Sequence, residues 1–167
     1  MNYSINLETL STPVLIAIAK ESKSPEVLRM LLKVNEVVLC GRVAENVYAD
    51  AETLRALYEK YKDNVRLSLI GNSSTPPDVL HDIVLKISEF REAEKILSNP
   101  SLEADDINCL LEGYGNYPSY RNEELIKKII AHPNTSAKTL IKIAEVRTQY
   151  SEAILNTGKV KLVENDV

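Results

Sequence analysis

A chain of 167 residues can bury most of its apolar surface in one domain, and 44% hydrophobic against 26% charged residues argues against disorder. Five glycines are too few for a turn-rich all-β fold, and no run approaches the ~18 apolar residues of a membrane span. The net charge of −4 is concentrated in residues 47–112, where seven basic side chains face thirteen acidic ones, a balance that repels a phosphate backbone and argues against general nucleic-acid binding.

Taken from the start, Met1-Asn2-Tyr3-Ser4-Ile5-Asn6 lacks the basic opening and apolar stretch of a secretion signal. Cys40 and Cys109 lie far apart and read as buried thiols in a reducing compartment rather than a disulfide or a metal pair. A cytoplasmic chain without cofactor or metal is the expectation.

One phrase then recurs: Leu or Ile, two variable residues, Leu or Ile, and a mostly apolar residue. It stands at Leu15, Leu28, Leu54, Leu80, Ile107 and Leu140. The steps after the first are 26, 26, 27 and 33 residues, whereas the step from 15 to 28 is half a repeat and marks residues 1–27 as an N-terminal cap. Apolar residues at i, i+3 and i+4 form one face of a helix. Ser24-Pro25, Asp50-Ala51, Thr75-Pro76-Pro77, Ser101 and Thr135-Ser136-Ala137 precede these faces and read as helix starts.

A second phrase closes each unit: Val43-Ala44-Glu45-Asn46, Leu69-Ile70-Gly71-Asn72, Ile96-Leu97-Ser98-Asn99 and Ile129-Ile130-Ala131-His132, with a shorter copy over Ile154-Leu155-Asn156-Thr157-Gly158. The Asn or His falls eight residues before the next Leu or Ile in all four full copies. Asn and Gly are read here as residues that tolerate the left-handed backbone ending a helix. Neither segment of a unit is long enough to stand alone in water, so neighbours must stack.

These phrases resemble the leucine-rich repeat variant family of α-solenoids. The resemblance rests on Asn72-Ser73-Ser74-Thr75-Pro76-Pro77-Asp78-Val79-Leu80, His132-Pro133-Asn134-Thr135-Ser136, Asn99-Pro100, Asn64-Val65-Arg66 and Val146-Arg147. It implies an all-α, right-handed solenoid (an alpha-alpha superhelix) of about five short repeats, with α-helices alternating with 3₁₀-like turns or second helices. HEAT-like repeats are the nearest alternative. Some members of the resembled family hold an iron–sulfur cluster on N-terminal cysteines, and nothing here corresponds to that set. The expected organisation is one helical-repeat domain over 1–158 and a tail over 159–167.

Such a stack reads as a non-catalytic protein-interaction module, an adaptor or small inhibitor, rather than an enzyme. The 33-residue unit carries a loop insertion over 113–122 in which Tyr114, Tyr117 and Tyr120, with Arg121, are candidate contacts for a protein partner. Glu103, Asp105 and Asp106 form a candidate acidic docking surface, although carboxylates also favour a helix start for electrostatic reasons alone. Lys127, Lys128, Lys138, Lys142 and Arg147 are the basis of an alternative, a nucleic-acid-associated protein; self-assembly through the ends of the stack is a third reading. His81 and His132 read as surface or capping residues.

Overall fold

In a computed structural model, residues 7–34, 36–115 and 120–161 are described, and among them every regular element is helical. The α-helices are α1 (Thr12–Glu21), α2 (Pro25–Leu31), α3 (Val37–Glu45), α4 (Ala51–Tyr61), α5 (Asp63–Gly71), α6 (Pro77–Val84), α7 (Phe90–Ile96), α8 (Ala104–Tyr114), α9 (Tyr120–Ala131), α10 (Ala137–Val146) and α11 (Ser151–Asn156). Single 3₁₀ turns occupy Leu7–Thr9, Leu32–Val34 and Thr148–Tyr150. Both segments of a repeat are therefore α-helical. The chain divides into two compact groups, residues 1–83 and 84–167. None of the described helices is long and apolar enough to cross a membrane.

The recurring phrases mark the core. Leu28, Leu54, Leu80, Ile107 and Leu140 are all buried, and so are the residues three positions on, Leu31, Leu57, Ile83, Leu110 and Ile143. The closing pairs Val43-Ala44, Leu69-Ile70, Ile96-Leu97 and Ile129-Ile130 are buried as well. Each helix of the even-numbered series contributes one stripe, each of the odd-numbered series another. In the first group α3 packs between α1 and α5, while α2 and α4 pack against this row. In the second, α7 packs on α8 and α9, and α10 on α11.

Helices start at four of the five expected places, and at three of these the expected side chain caps the first turn. Ser24, Asp50 and Ser136 accept hydrogen bonds from Val27, Thr53 and Thr139 amides, satisfying first-turn donors. Thr75 instead donates its hydroxyl back to the Leu69 carbonyl at 2.7 Å, and α6 begins at Pro77. Ser101 belongs to the preceding turn; α8 begins at Ala104 after Glu103, whose side chain makes no capping bond.

Between α4 and α5 the direction changes at one residue, Lys62, which has φ 34°. A non-glycine residue there stores local strain, worth about 1–2 kcal/mol. Lys62→Gly should raise the melting temperature, because relief of strain outweighs the added entropy of the unfolded chain; a fall in thermal melts would contradict this account.

Candidate functional site

The most ordered polar feature is a ladder built from the closing Asn and His residues. Asn46 Nδ2 donates to the Ala19 carbonyl at 2.8 Å and to Ser22 at 2.9 Å, while its Oδ1 accepts the Tyr48 amide at 2.8 Å. Asn72 repeats the pattern one unit on, with Nδ2 to the carbonyls of Ala44 at 2.8 Å and Asn46 at 2.9 Å, and Oδ1 from Ser74 N–H at 2.9 Å. Asn99 Oδ1 accepts the Ser101 amide at 3.0 Å. Asn46 and Asn72 thus each join the end of one odd-numbered helix to the end of the one before.

This corrects the role assigned to Asn from sequence. Asn46 and Asn72 have φ −80° and −97°, extended rather than left-handed, and among the described residues only Lys62 and Gly158 have positive φ. Asparagine is used for its side chain: two N–H donors and one acceptor on a short stem, which the buried carbonyls require. The backbone repeats with it, since Ala49, Thr75, Leu102 and Thr135 amides each donate to the carbonyl three residues back, at Asn46, Asn72, Asn99 and His132.

His132 occupies the same rung and is buried, not a surface residue. Its Nε2 lies 3.0 Å from the Asn99 carbonyl and its Nδ1 3.1 Å from the Asn134 amide. A carbonyl only accepts and an amide N–H only donates, so the imidazole is the neutral tautomer with its proton on Nε2. His132→Asn should therefore leave stability nearly unchanged, whereas His132→Leu strands a carbonyl and an N–H and should cost about 2–4 kcal/mol in chemical denaturation. Equal losses for both would remove the ladder assignment.

The ends of the ladder were not legible in advance. Ser22 stands where later units have Asn, and its hydroxyl accepts the Ser24 amide at 3.2 Å. Helix α1 is thus the second helix of an incomplete unit, which accounts for the half-step between Leu15 and Leu28. At the other end Asn156 is exposed, and the donor is Lys159, whose ammonium reaches the carbonyls of His132 at 3.1 Å, Pro133 at 2.7 Å and Thr135 at 3.0 Å. Lys159 belongs to the framework, not to a tail.

Along the even-numbered helices, ion pairs link successive copies. Arg29 pairs with Asp50, and Arg55 with Asp78 at 2.8 Å. Tyr58 donates to Asp82 at 2.7 Å, and Lys142 meets Glu112 at 2.8 Å. Hydrogen bonding from Thr53, with the Arg29 guanidinium adding to it, holds the Asp50 carboxyl below its ordinary range. The Arg55 guanidinium does the same for Asp78, and the Lys142 ammonium for Glu112.

The expected contact residues are placed as follows. Tyr114 is the last residue of α8, half-buried, its hydroxyl donating to the Ile87 carbonyl at 3.0 Å and its ring edge-on to Phe90. It is held within the fold. Tyr117 lies outside the described residues, as do the side chains of Tyr120 and Arg121 at the start of α9. Of the acidic trio, Glu103 and Asp105 are exposed, but Asp106 is 1% exposed and cannot contribute to a docking surface. It shares its register with buried Thr53, Val79 and Thr139, each one residue before the core Leu or Ile.

The basic residues are largely engaged. Lys127 pairs with Glu124 at 2.8 Å, Lys128 reaches the Glu94 carbonyl at 3.3 Å, Lys142 meets Glu112, and Arg147 Nη2 donates to the Gly115 carbonyl at 2.6 Å. A cavity of about 230 Å³ lies among α8, α9 and α10, with Leu111, Ile126 and Ile143 at its floor and Lys142 and Arg147 at its rim.

The cysteines differ from each other, contrary to expectation: Cys40 is buried and Cys109 exposed. Burial pushes the Cys40 thiol pKa up, which lowers its thiolate fraction as well as its access. A thiol reagent should modify Cys109 alone in the native protein and both residues after denaturation; rapid double modification in mass spectra of native protein would contradict the packing of α3.

Comparison with known proteins adds no relative: no family model, no curated protein and no solved structure matches the chain.

Proposed function

We propose that the chain is a non-catalytic protein-binding module, an adaptor or small inhibitor, built as a right-handed α-solenoid of about five units. The observation carrying this reading is the contrast between a framework that repeats and a surface that does not. Core and ladder positions hold the same residue types unit after unit. At the position two residues beyond the core Leu or Ile, the chain instead places Met30, Ala56, Asp82, Cys109 and Lys142, of which Met30, Ala56 and Cys109 are exposed and Asp82 and Lys142 half-buried. A constant scaffold carrying varied side chains suits recognition of an extended partner surface. The leucine-rich-repeat-variant resemblance fits such a stack, and the argument stands on the repeat itself.

Protein is preferred to nucleic acid as the partner because Lys127, Lys128, Lys142 and Arg147 already meet carboxylates or carbonyls. The 113–122 segment enters the binding surface through Tyr117, Tyr120 and Arg121, with Tyr114 serving the fold.

The test is capture on the immobilised intact chain, followed by titration with the purified captured protein. Ile141→Glu on exposed α10, and a Tyr117→Ser/Tyr120→Ser pair, should each weaken binding about tenfold or more at unchanged helicity. Retention of nuclease-sensitive material instead, or no specific protein, would overturn the reading.

A further inference from the structure

The rungs of the ladder are not chemically equivalent. Asn46, Asn72 and Asn99 carry amides, which neither gain nor lose a proton near neutral pH, whereas the imidazole of His132 can gain one. The next donor along the chain is Lys159, an ammonium where Asn46 and Asn72 present an amide. The last junction therefore joins two residues that can both carry positive charge.

They meet at the turn between α9 and α10, residues 132–135. His132 is 4% exposed, and its ring nitrogens make opposite demands: Nε2 donates to the Asn99 carbonyl, while Nδ1 accepts the Asn134 amide. The Lys159 ammonium binds the same turn through the carbonyls of His132, Pro133 and Thr135. A proton on Nδ1 would aim an N–H at the Asn134 N–H and leave that amide without its acceptor. It would also set a second positive charge in a turn that already holds one.

No carboxylate contacts the ring to offset that charge. The ionisable groups on the surrounding elements are Lys128 on α9, Glu94 and Lys95 on α7, Glu103 ahead of α8, Lys138 on α10 and Glu152 on α11. Both ring nitrogens meet backbone groups instead, and the Glu94 carboxylate lies 3.9 Å from the Lys128 ammonium.

What Lys159 holds in place is weakly attached otherwise. Helix α11 has six residues, of which Ile154 is buried, and Lys159 follows it by way of Gly158. A helix of this length does not persist alone in water.

We propose that the turn at 132–135 is an acid-sensitive latch: protonation of His132 opens it, releases Lys159 and frees α11 from α10. An opened turn takes up the proton near the ordinary imidazole value of about 6.5, and the closed turn has no place for it. The opened form thus binds the extra proton. Closure is favoured above that pH and weakens below it, by at most about tenfold per pH unit. This inference stands apart from the partner-binding reading, which concerns the even-numbered helices and the 113–122 segment.

Hydrogen exchange of the intact chain at about pH 7.5 and about pH 5, corrected for intrinsic exchange rates, tests it. Amides of α11 should open about tenfold more often in acid, while those of α8 change little. His132→Asn, which restores the residue of the other rungs, should abolish the increase. His81→Asn, at an exposed histidine, should leave it intact. Lys159→Met should open α11 at both pH values. Native α11 equally protected at both overturns the proposal, as does an acid response that survives His132→Asn. Acid opening of every helix alike overturns it too, because the response then belongs to global unfolding and not to this turn.

Discussion

Asn72→Asp should destabilise the protein by at least about 3 kcal/mol at neutral pH, more than Asn72→Ala and out of proportion to a one-atom change. The substitution keeps an acceptor for the Ser74 amide but replaces two N–H donors by an oxygen facing the carbonyls of Ala44 and Asn46. Those carbonyls lose their side-chain partners, and a charge enters a site where Asn72 is 1% exposed. Against a total stability of about 5–15 kcal/mol, such a loss threatens folding at physiological temperature. Asn72→Ala removes the donors without adding charge and should cost about 2–4 kcal/mol.

The pH dependence separates the two variants. Burial among carbonyls favours the neutral form of the introduced carboxyl, so its folded-state pKa lies above the unfolded value of about 3.9. The folded chain then binds the extra proton first. The penalty is complete above the folded-state pKa and shrinks as pH falls through it towards the unfolded value. Recovery is partial, because a protonated acid has one donor where the amide has two. Urea titrations should show the aspartate variant approaching the alanine variant in acid; a gap constant with pH would mean that the side chain escapes to solvent.

Why was so much of the core legible and the ladder's purpose not? Burial has a period, and period survives in sequence: Leu28, Leu54, Leu80, Ile107 and Leu140 announce their own faces. The recurrence of Asn46, Asn72, Asn99 and His132 was equally visible, but identity alone does not separate a backbone role from a side-chain role. The substitution of His for Asn held the clue. Histidine is a poorer residue than asparagine for a left-handed position, yet an imidazole can offer one donor and one acceptor much as an amide does. The ends of the ladder use different chemistry, a serine hydroxyl at Ser22 and an ammonium at Lys159, so no recurring letter pointed to them.

The surface was harder still. Asp105 and Asp106 are adjacent and chemically identical, yet the 100° turn between neighbours leaves one exposed and buries the other. Counting from Ile107, as the core register does, would have separated them: Asp106 falls with Thr53, Val79 and Thr139. Tyr114 falls with Tyr117 and Tyr120 in the inserted stretch 113–122 of the longest unit, but α8 continues through Gly113. A single glycine weakens a helix without ending it when the flanking residues pack, as Leu110 and the Phe90–Tyr114 contact show.

Leu57→Ala should cost about 2–5 kcal/mol, while Leu85→Ala should change stability by less than about 0.5 kcal/mol. Leu57 is fully buried at the i+3 position of α4, where truncation removes apolar contact and leaves a cavity; Leu85 is 63% exposed beyond the end of α6. The same Leu57→Ala variant tests the linear stacking on which the proposed function rests. In a stack whose units touch only their neighbours, damage at α4 is felt locally and fades along the chain, whereas a single shared core loses stability everywhere at once. Hydrogen exchange of Leu57→Ala should therefore deprotect amides of α2 to α6 well before those of α9 and α10. Uniform loss of protection across both groups of helices would reject a quasi-linear array, and the argument for an extended recognition surface would fall with it.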